Sequence, residues 1–259
     1  MGYHARRMAA AAPRRWFVPA LGLAATVLLL AISPPAGAQA PPMCLGQVAQ
    51  IVGDDTDQFL VGTPGDDVIV GFGGADVING GLGNDVICGG DGNDQIAGSF
   101  GDDQLSGELG VDRLAGGDGS DFLTGDLGAD ELLGGEQNDK LYGGEGNDLL
   151  RGDDGGDLIN GGGDQDIIRG SDGADQIYGG EGADTIVAGT GGDRVFGGSD
   201  NDSIWGRRGG DRLFGGGNDD RLFGGRGGDI LDGGSGFDRC NGGAQTDVAY
   251  SCAVTSGVP

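Results

Sequence analysis

Twenty aspartates recur at a strict interval of nine residues: Asp67, Asp76, Asp85, Asp94, Asp103, Asp112, Asp121, Asp130, Asp139, Asp148, Asp157, Asp166, Asp175, Asp184, Asp193, Asp202, Asp211, Asp220, Asp229 and Asp238. A carboxylate repeated in this way could move protons or hold a cation. Proton transfer needs a pair of carboxylates set apart by their surroundings. Neighbours such as Asp66 and Asp67, or Asp102 and Asp103, are too many and too alike to define one such centre. Cation binding has the opposite requirement, because equivalent sites can be stacked without limit. Glycines between the aspartates leave backbone carbonyls open, and hard all-oxygen donor sets of this kind suit Ca²⁺ better than the small, rigidly octahedral Mg²⁺.

The element that must position these carboxylates is a nine-residue phrase, GGxGxDxUx with U aliphatic, running from Gly62 to Asn241 without insertion or deletion. Clear copies are Gly89–Ala97 and Gly143–Arg151. The sixth position is always Asp; the eighth is aliphatic from Ile69 to Leu231 and becomes Cys240 in the last copy. A fixed period of this length denotes a repeat architecture. Glycines at the first, second and fourth positions free the backbone for a turn, and the last three residues read as a short strand facing out, in, out.

A strand so short must be paired. Two repeats, eighteen residues, make one full coil, so that alternate repeats stack into two parallel sheets with the eighth-position aliphatics between them. Twenty copies give about ten turns and a length of roughly 45 to 50 Å at about 4.8 Å per strand. The expectation is an all-β, parallel β-roll solenoid. Asp67, Asp85, Asp103 and Asp121 begin the row of carboxylates on one edge, and Asp76, Asp94, Asp112 and Asp130 the row on the other. One aliphatic per nine ordered residues is a thin core, so cation binding is expected to supply folding free energy. The fifth position varies between oxygen-bearing side chains (Asp66, Asn84, Asn93, Asp102) and residues such as Ala75 or Val111, which suits a role in shaping the turn.

The rest of the chain is read around this block. Residues 1–40 carry Arg6, Arg7, Arg14 and Arg15, an apolar run from Phe17 to Ile32, and Ala38-Gln39-Ala40 before Pro41. This is the pattern of a secretory signal peptide, with Arg14-Arg15 leaving twin-arginine export as an alternative. Residues 41–61 are expected to add an apolar rung or cap, with Ile51 and Leu60 in the aliphatic slot and Gln58 in place of Asp, and residues 242–259 to form a C-terminal cap. With about twenty residues on either side of the repeats beyond the leader, no catalytic domain is expected.

Beyond the leader, all 41 acidic residues face only the remaining 11 of the 15 basic ones. Such a charge opposes compaction without bound cations and makes nucleic acid a poor partner. The single histidine, His4, lies in the leader, which removes histidine triads and His-ligated zinc. Four cysteines, Cys44, Cys88, Cys240 and Cys252, allow three disulfide connectivities. Pairing within each end, Cys44 with Cys88 and Cys240 with Cys252, is preferred. A four-thiolate zinc site would have to join the two ends of a long rod.

These residues resemble the hemolysin-type calcium-binding repeats, or repeats-in-toxin, and most of all the small secreted actinobacterial members built almost wholly of them. The resemblance implies a right-handed roll with Ca²⁺ held in the turns by Asp67 and its nineteen successors together with carbonyls of the glycine positions. Ala188 departs from it at the first position, Ser99, Glu108 and Asp126 at the second, and Thr63-Pro64 opens an irregular turn.

Seven basic residues lie between Arg194 and Arg239. Arg194 and Arg212 share the seventh position one turn apart, as do Arg221 and Arg239; Phe196 and Phe214, and Trp205 and Phe223, share the ninth. Such rows either stiffen a thin sheet or form a docking surface for a cell-wall polymer, another extracellular polymer or a protein. The sequence thus points to a secreted, non-catalytic calcium-binding protein that folds on its ions, with no stable membrane insertion of the mature chain. The alternative is an extracellular adhesin or matrix-binding module using the Arg/aromatic rows.

Overall fold

The computed structural model describes residues 41–256, and the leader lies outside them. Two parallel sheets of twelve strands each run the length of the solenoid. Successive strands alternate between them, so every ladder joins residues eighteen apart, as in Leu114 with Leu132 and Leu123 with Leu141. The first sheet runs from Ile51–Val52 to Val248–Tyr250 and the second from Phe59–Val61 to Val254–Ser256.

Strands are longer than the three residues the sequence suggests. Most span six, for instance Val77–Leu82, covering the seventh to ninth positions and the first three of the next repeat. Each is interrupted at the first position, whether glycine or Ala188 stands there. The registered pairs pass from Ala115 with Leu133 directly to Gly117 with Gly135, stepping over Gly116. Glycine turns inward there, and the strand resumes beyond it.

The roll also exceeds ten turns. Gly242–Tyr250 is a further copy of the repeat, with Asp247 at its sixth position and Ala249 at its eighth. Gln245 replaces the fourth-position glycine, which is why the sequence reads as a tail there.

Eighth-position side chains from Ile69 to Leu231 form a single-file core at 0–2 % exposure, closed by Cys240 and flanked at the ends by Ile51, Leu60 and Ala249. A second, smaller cluster lies outside the first sheet. There an antiparallel hairpin, Met43–Cys44 against Gln47–Val48, brings Cys44 to Cys88 in a cluster with Val68, Val70 and Val86. The disulfides are Cys44–Cys88 and Cys240–Cys252, and no described cysteine is free. This rules out the four-thiolate zinc reading. No helix long and apolar enough to cross a membrane occurs among the described residues.

Candidate metal centre

Asp is fixed at the sixth position by two separate tasks, one for each carboxylate oxygen. The backbone N–H of every such Asp from Asp67 to Asp229 donates to Oδ1 of the Asp eighteen residues on: Asp76 to Asp94 at 2.7 Å, Asp121 to Asp139 at 2.8 Å, Asp175 to Asp193 at 3.0 Å. The result is one file of carboxylates down each edge of the roll, each residue at most 7 % exposed.

The other oxygen has no donor. Oδ2 is buried without a hydrogen-bond partner in all the aspartates of the files from Asp76 to Asp247. A buried polar atom left in this state is costly, and twenty in register call for a ligand. Burial, opposed by the N–H bond and reinforced in each by neighbouring carboxylates, raises Asp103, Asp112, Asp139, Asp166 and Asp175 to about 7 and Asp202 to about 8. These groups resist ionising unless positive charge is brought to them.

The surrounding donors are also oxygens. A Cβ placed on Gly143 would collide with Oδ2 of Asp148 and with the carbonyl oxygen of Gly161, and one on Gly161 with Asp166 Oδ2 and the Gly179 carbonyl. The first-position glycine therefore keeps open a space faced by a carboxylate from its own repeat and a carbonyl from the next turn. Among the described residues no group of three or more His, Cys, Asp or Glu side chains gathers at one point. A cation here would thus draw on one file of carboxylates plus backbone carbonyls and water. That donor set, hard and without nitrogen or sulfur, fits Ca²⁺.

Three of the irregularities noted in the sequence have visible consequences. Asp67 does not share the orphaned state, because the N–H and Oγ1 of Thr63 both donate to its Oδ2. Gln58 closes the opposite file: its N–H donates to Asp76 Oδ1 at 2.8 Å, while its own Oε1 accepts from Asp54 N–H at 3.0 Å. Ala188 is accommodated at full burial, and Asp193 keeps its bond to Asp211. The fifth-position side chains do shape the turn. Asn84 N–H donates to Asp66 Oδ1 and Asp102 N–H to Asn84 Oδ1, both at 2.9 Å, in an exposed ladder running opposite in sense to that of the sixth position.

The outward rows also form as registered columns. In the first sheet Phe196 stacks on Phe214 at 4.9 Å, and Tyr178, which the sequence reading passed over, extends the stack at 5.0 Å. Arg194 and Arg212 are adjacent beside it, the Arg194 guanidinium 4.9 Å from the Phe196 ring. In the second sheet Trp205 stacks on Phe223 at 5.5 Å, and Arg221 adjoins Arg239. Asp247 is the other residue missed; continuing the count of nine past Asn241 finds it, just as the ninth-position register finds Tyr178.

Fold and edge together define a parallel β-solenoid with buried, cation-seeking turns. The pattern of the RTX calcium-binding nonapeptide repeat matches the chain in overlapping blocks from residue 52 to residue 249, and the chain belongs to that family. No curated protein matches it. Among solved structures it is similar, at 20% identity and a TM-score of 0.32, to a hyperactive, Ca²⁺-dependent, β-helical antifreeze protein from an Antarctic bacterium. That likeness covers 75% of this chain and 83% of the other.

Proposed function

We propose that this protein is a secreted, non-catalytic calcium-binding roll whose ordered state depends on Ca²⁺ held between successive turns by the files from Asp76 to Asp247. The observation that carries this reading is the run of buried Oδ2 atoms without donors. Bound there, calcium would supply the positive charge that the carboxylates lack and the ligands their lone pairs require. The chain's own part is to present those oxygens in register, through the N–H to Oδ1 bonds, and to keep the intervening space clear with glycine. Without the ion, rows of buried or repelling carboxylates oppose closure, so binding energy becomes folding energy.

The basic and apolar leader, ending in Ala38-Gln39-Ala40, supports export. A chain that stays open where free calcium is low and closes where it is high would be threaded unfolded and ordered outside. The absence of histidine beyond His4 and the equivalence of the acidic sites support a non-catalytic role. Far-UV circular dichroism with and without millimolar Ca²⁺ tests the proposal: strand signal should appear with calcium and vanish on chelation. An unchanged signal after chelation overturns it.

A second reading, an extracellular module that docks on a polymer or protein, is favoured by the Tyr178–Phe196–Phe214 stack with Arg194 beside it. Binding to cell-wall material that is insensitive to replacement of Phe196 and Phe214 by Ser removes its basis.

A further inference from the structure

The outer face of the second sheet carries a column of third-position residues in register along the roll: Asp118, Glu136, Asp154, Asp172, Thr190, Arg208 and Arg226. All are exposed. The order is four carboxylates, a neutral threonine, then two guanidiniums. The parallel column of ninth-position residues reads Arg151, Arg169, Val187, Trp205 and Phe223. It too changes character at the same rung, the strand Thr185–Thr190, from cations to stacked rings.

Two copies laid face to face, related by a two-fold axis along that strand and between the faces, would reverse the order of rungs while keeping each column opposite its counterpart. The columns are complementary under this operation. Arg208 meets Asp172 and Arg226 meets Asp154 in one column; Trp205 meets Arg169 and Phe223 meets Arg151 in the other. Each contact occurs twice, as an isologous interface requires.

Three further observations support a partner here. Of the arginines on this face, Arg169, Arg207, Arg208 and Arg226 make no ion pair among the described residues, although the chain is strongly acidic, while Arg151 pairs with Asp153. Trp205, Phe223, Arg208 and Arg226 line a shallow groove of about 510 Å³ floored by Gly189 and Gly225. Arg207 also lines it, and is the one cationic residue among the described non-glycines with positive φ, at 81°. Side chains in that region carry a backbone cost.

We propose that the protein self-associates through this face as an antiparallel dimer centred on the strand Thr185–Thr190. The inference assigns the second-sheet rows to a second copy and leaves the first-sheet stack to the docking reading given above. It rests on the roll being folded, hence on calcium. Five rungs at about 4.8 Å by a strand of six residues make a patch roughly 20 Å on each side. At roughly 400 Å² per copy that is below the size of stable interfaces and in the weak, transient class, so association should fall in the high micromolar range and weaken with salt.

The test is sedimentation velocity on the whole protein in calcium, with circular dichroism on the same samples to separate an unfolded roll from an unassembled one. The wild type should dimerise at low salt. Arg208→Glu/Arg226→Glu should be monomeric, because glutamate then faces Asp172 and Asp154. Asp154→Arg/Asp172→Arg should be monomeric for the converse reason. An equimolar mixture of the two variants should dimerise, since every charged contact is again attractive. The proposal is overturned if the folded wild type is monomeric throughout the micromolar range, if either reversal leaves the dimer intact, or if the mixture stays monomeric. A monomeric wild type that captures an acidic polysaccharide, losing it on the Arg208→Glu/Arg226→Glu change, would assign the face to that polymer instead.

Discussion

The backbone N–H of Asp139 donates to Oδ1 of Asp157, eighteen residues on, at 2.9 Å, while Oδ2 of Asp157 is buried with no donor at all. One side chain is thereby split between an intrachain bond and an unmet demand. The two halves can be separated by substitution.

Asp157→Asn keeps an oxygen for the Asp139 N–H and replaces Oδ2 by an amide nitrogen that cannot ligate Ca²⁺. The calcium-loaded roll should lose about 1 to 3 kcal/mol and bind fewer ions by calorimetry. The metal-free chain, relieved of one buried carboxylate, should be no less ordered. A variant that binds the wild-type number of ions would show that Oδ2 is not a ligand.

Acid should partly substitute for calcium. Folding raises the Asp103, Asp112, Asp139, Asp166 and Asp175 carboxyls from an ordinary 3.8 to about 7 and Asp202 to about 8, chiefly by burial. The folded state therefore binds protons more tightly than the unfolded one. The contribution of these carboxyls to its stability is fully present below 3.8 and is lost progressively as pH rises to 7 to 8. In chelator, strand signal should grow as pH is lowered from about 8 to about 5, and calcium affinity should fall over the same window because protons and ions compete for the same oxygens. A metal-free chain with no pH response would contradict both statements.

Glycine substitutions should divide by location. A Cβ on Gly209, at φ 138°, would run into the Gly191 carbonyl one turn below, whereas a Cβ on Gly65 would meet nothing within 4 Å. Gly209→Ala should destabilise the loaded roll by about 2 to 4 kcal/mol and Gly65→Ala by less than about 0.5 kcal/mol. Thermal melts in calcium distinguish them. Equal effects would mean that carbonyl stacking in the turns is not a constraint.

Removing the first disulfide should open one end only. With Cys44→Ala/Cys88→Ala the hairpin is no longer tied over Val68, Val70 and Val86, and loss of the closed loop should cost about 3 to 4 kcal/mol. Hydrogen exchange should speed up over residues 43–90 while the turns around Leu150 remain protected. Uniform deprotection would mean that the roll opens as one unit.

How much of this was legible depended on whether a feature repeats. The core from Ile69 to Leu231, the two edges of aspartate and the pairing of residues eighteen apart follow from the count of nine alone. The disulfide pairing was readable because Cys44 and Cys88 share one end and Cys240 and Cys252 the other. What escaped was local. The strand's extra residues lie beyond an unpaired first position such as Gly116, in a glycine-rich stretch that composition reads as turn. Thr63 satisfying Asp67 depends on a hydroxyl at a place where the pattern only says irregular. The division of labour between Oδ1 and Oδ2 is invisible in a letter D, since it is set by how adjacent turns stack.

The eighteen-residue register also sets a parity rule on how this chain can grow or shrink. Adding or deleting eighteen residues leaves every downstream side chain in its own sheet and merely changes the number of rungs. Adding or deleting nine keeps each glycine, Asp and aliphatic in phase, yet transfers everything downstream to the opposite sheet. Arg208 and Arg226 would then exchange faces with Arg194 and Phe196, and Cys44 would no longer share a face with Cys88 if the change fell between them. Sequence comparison within one repeat would not detect such an event; only the columns would.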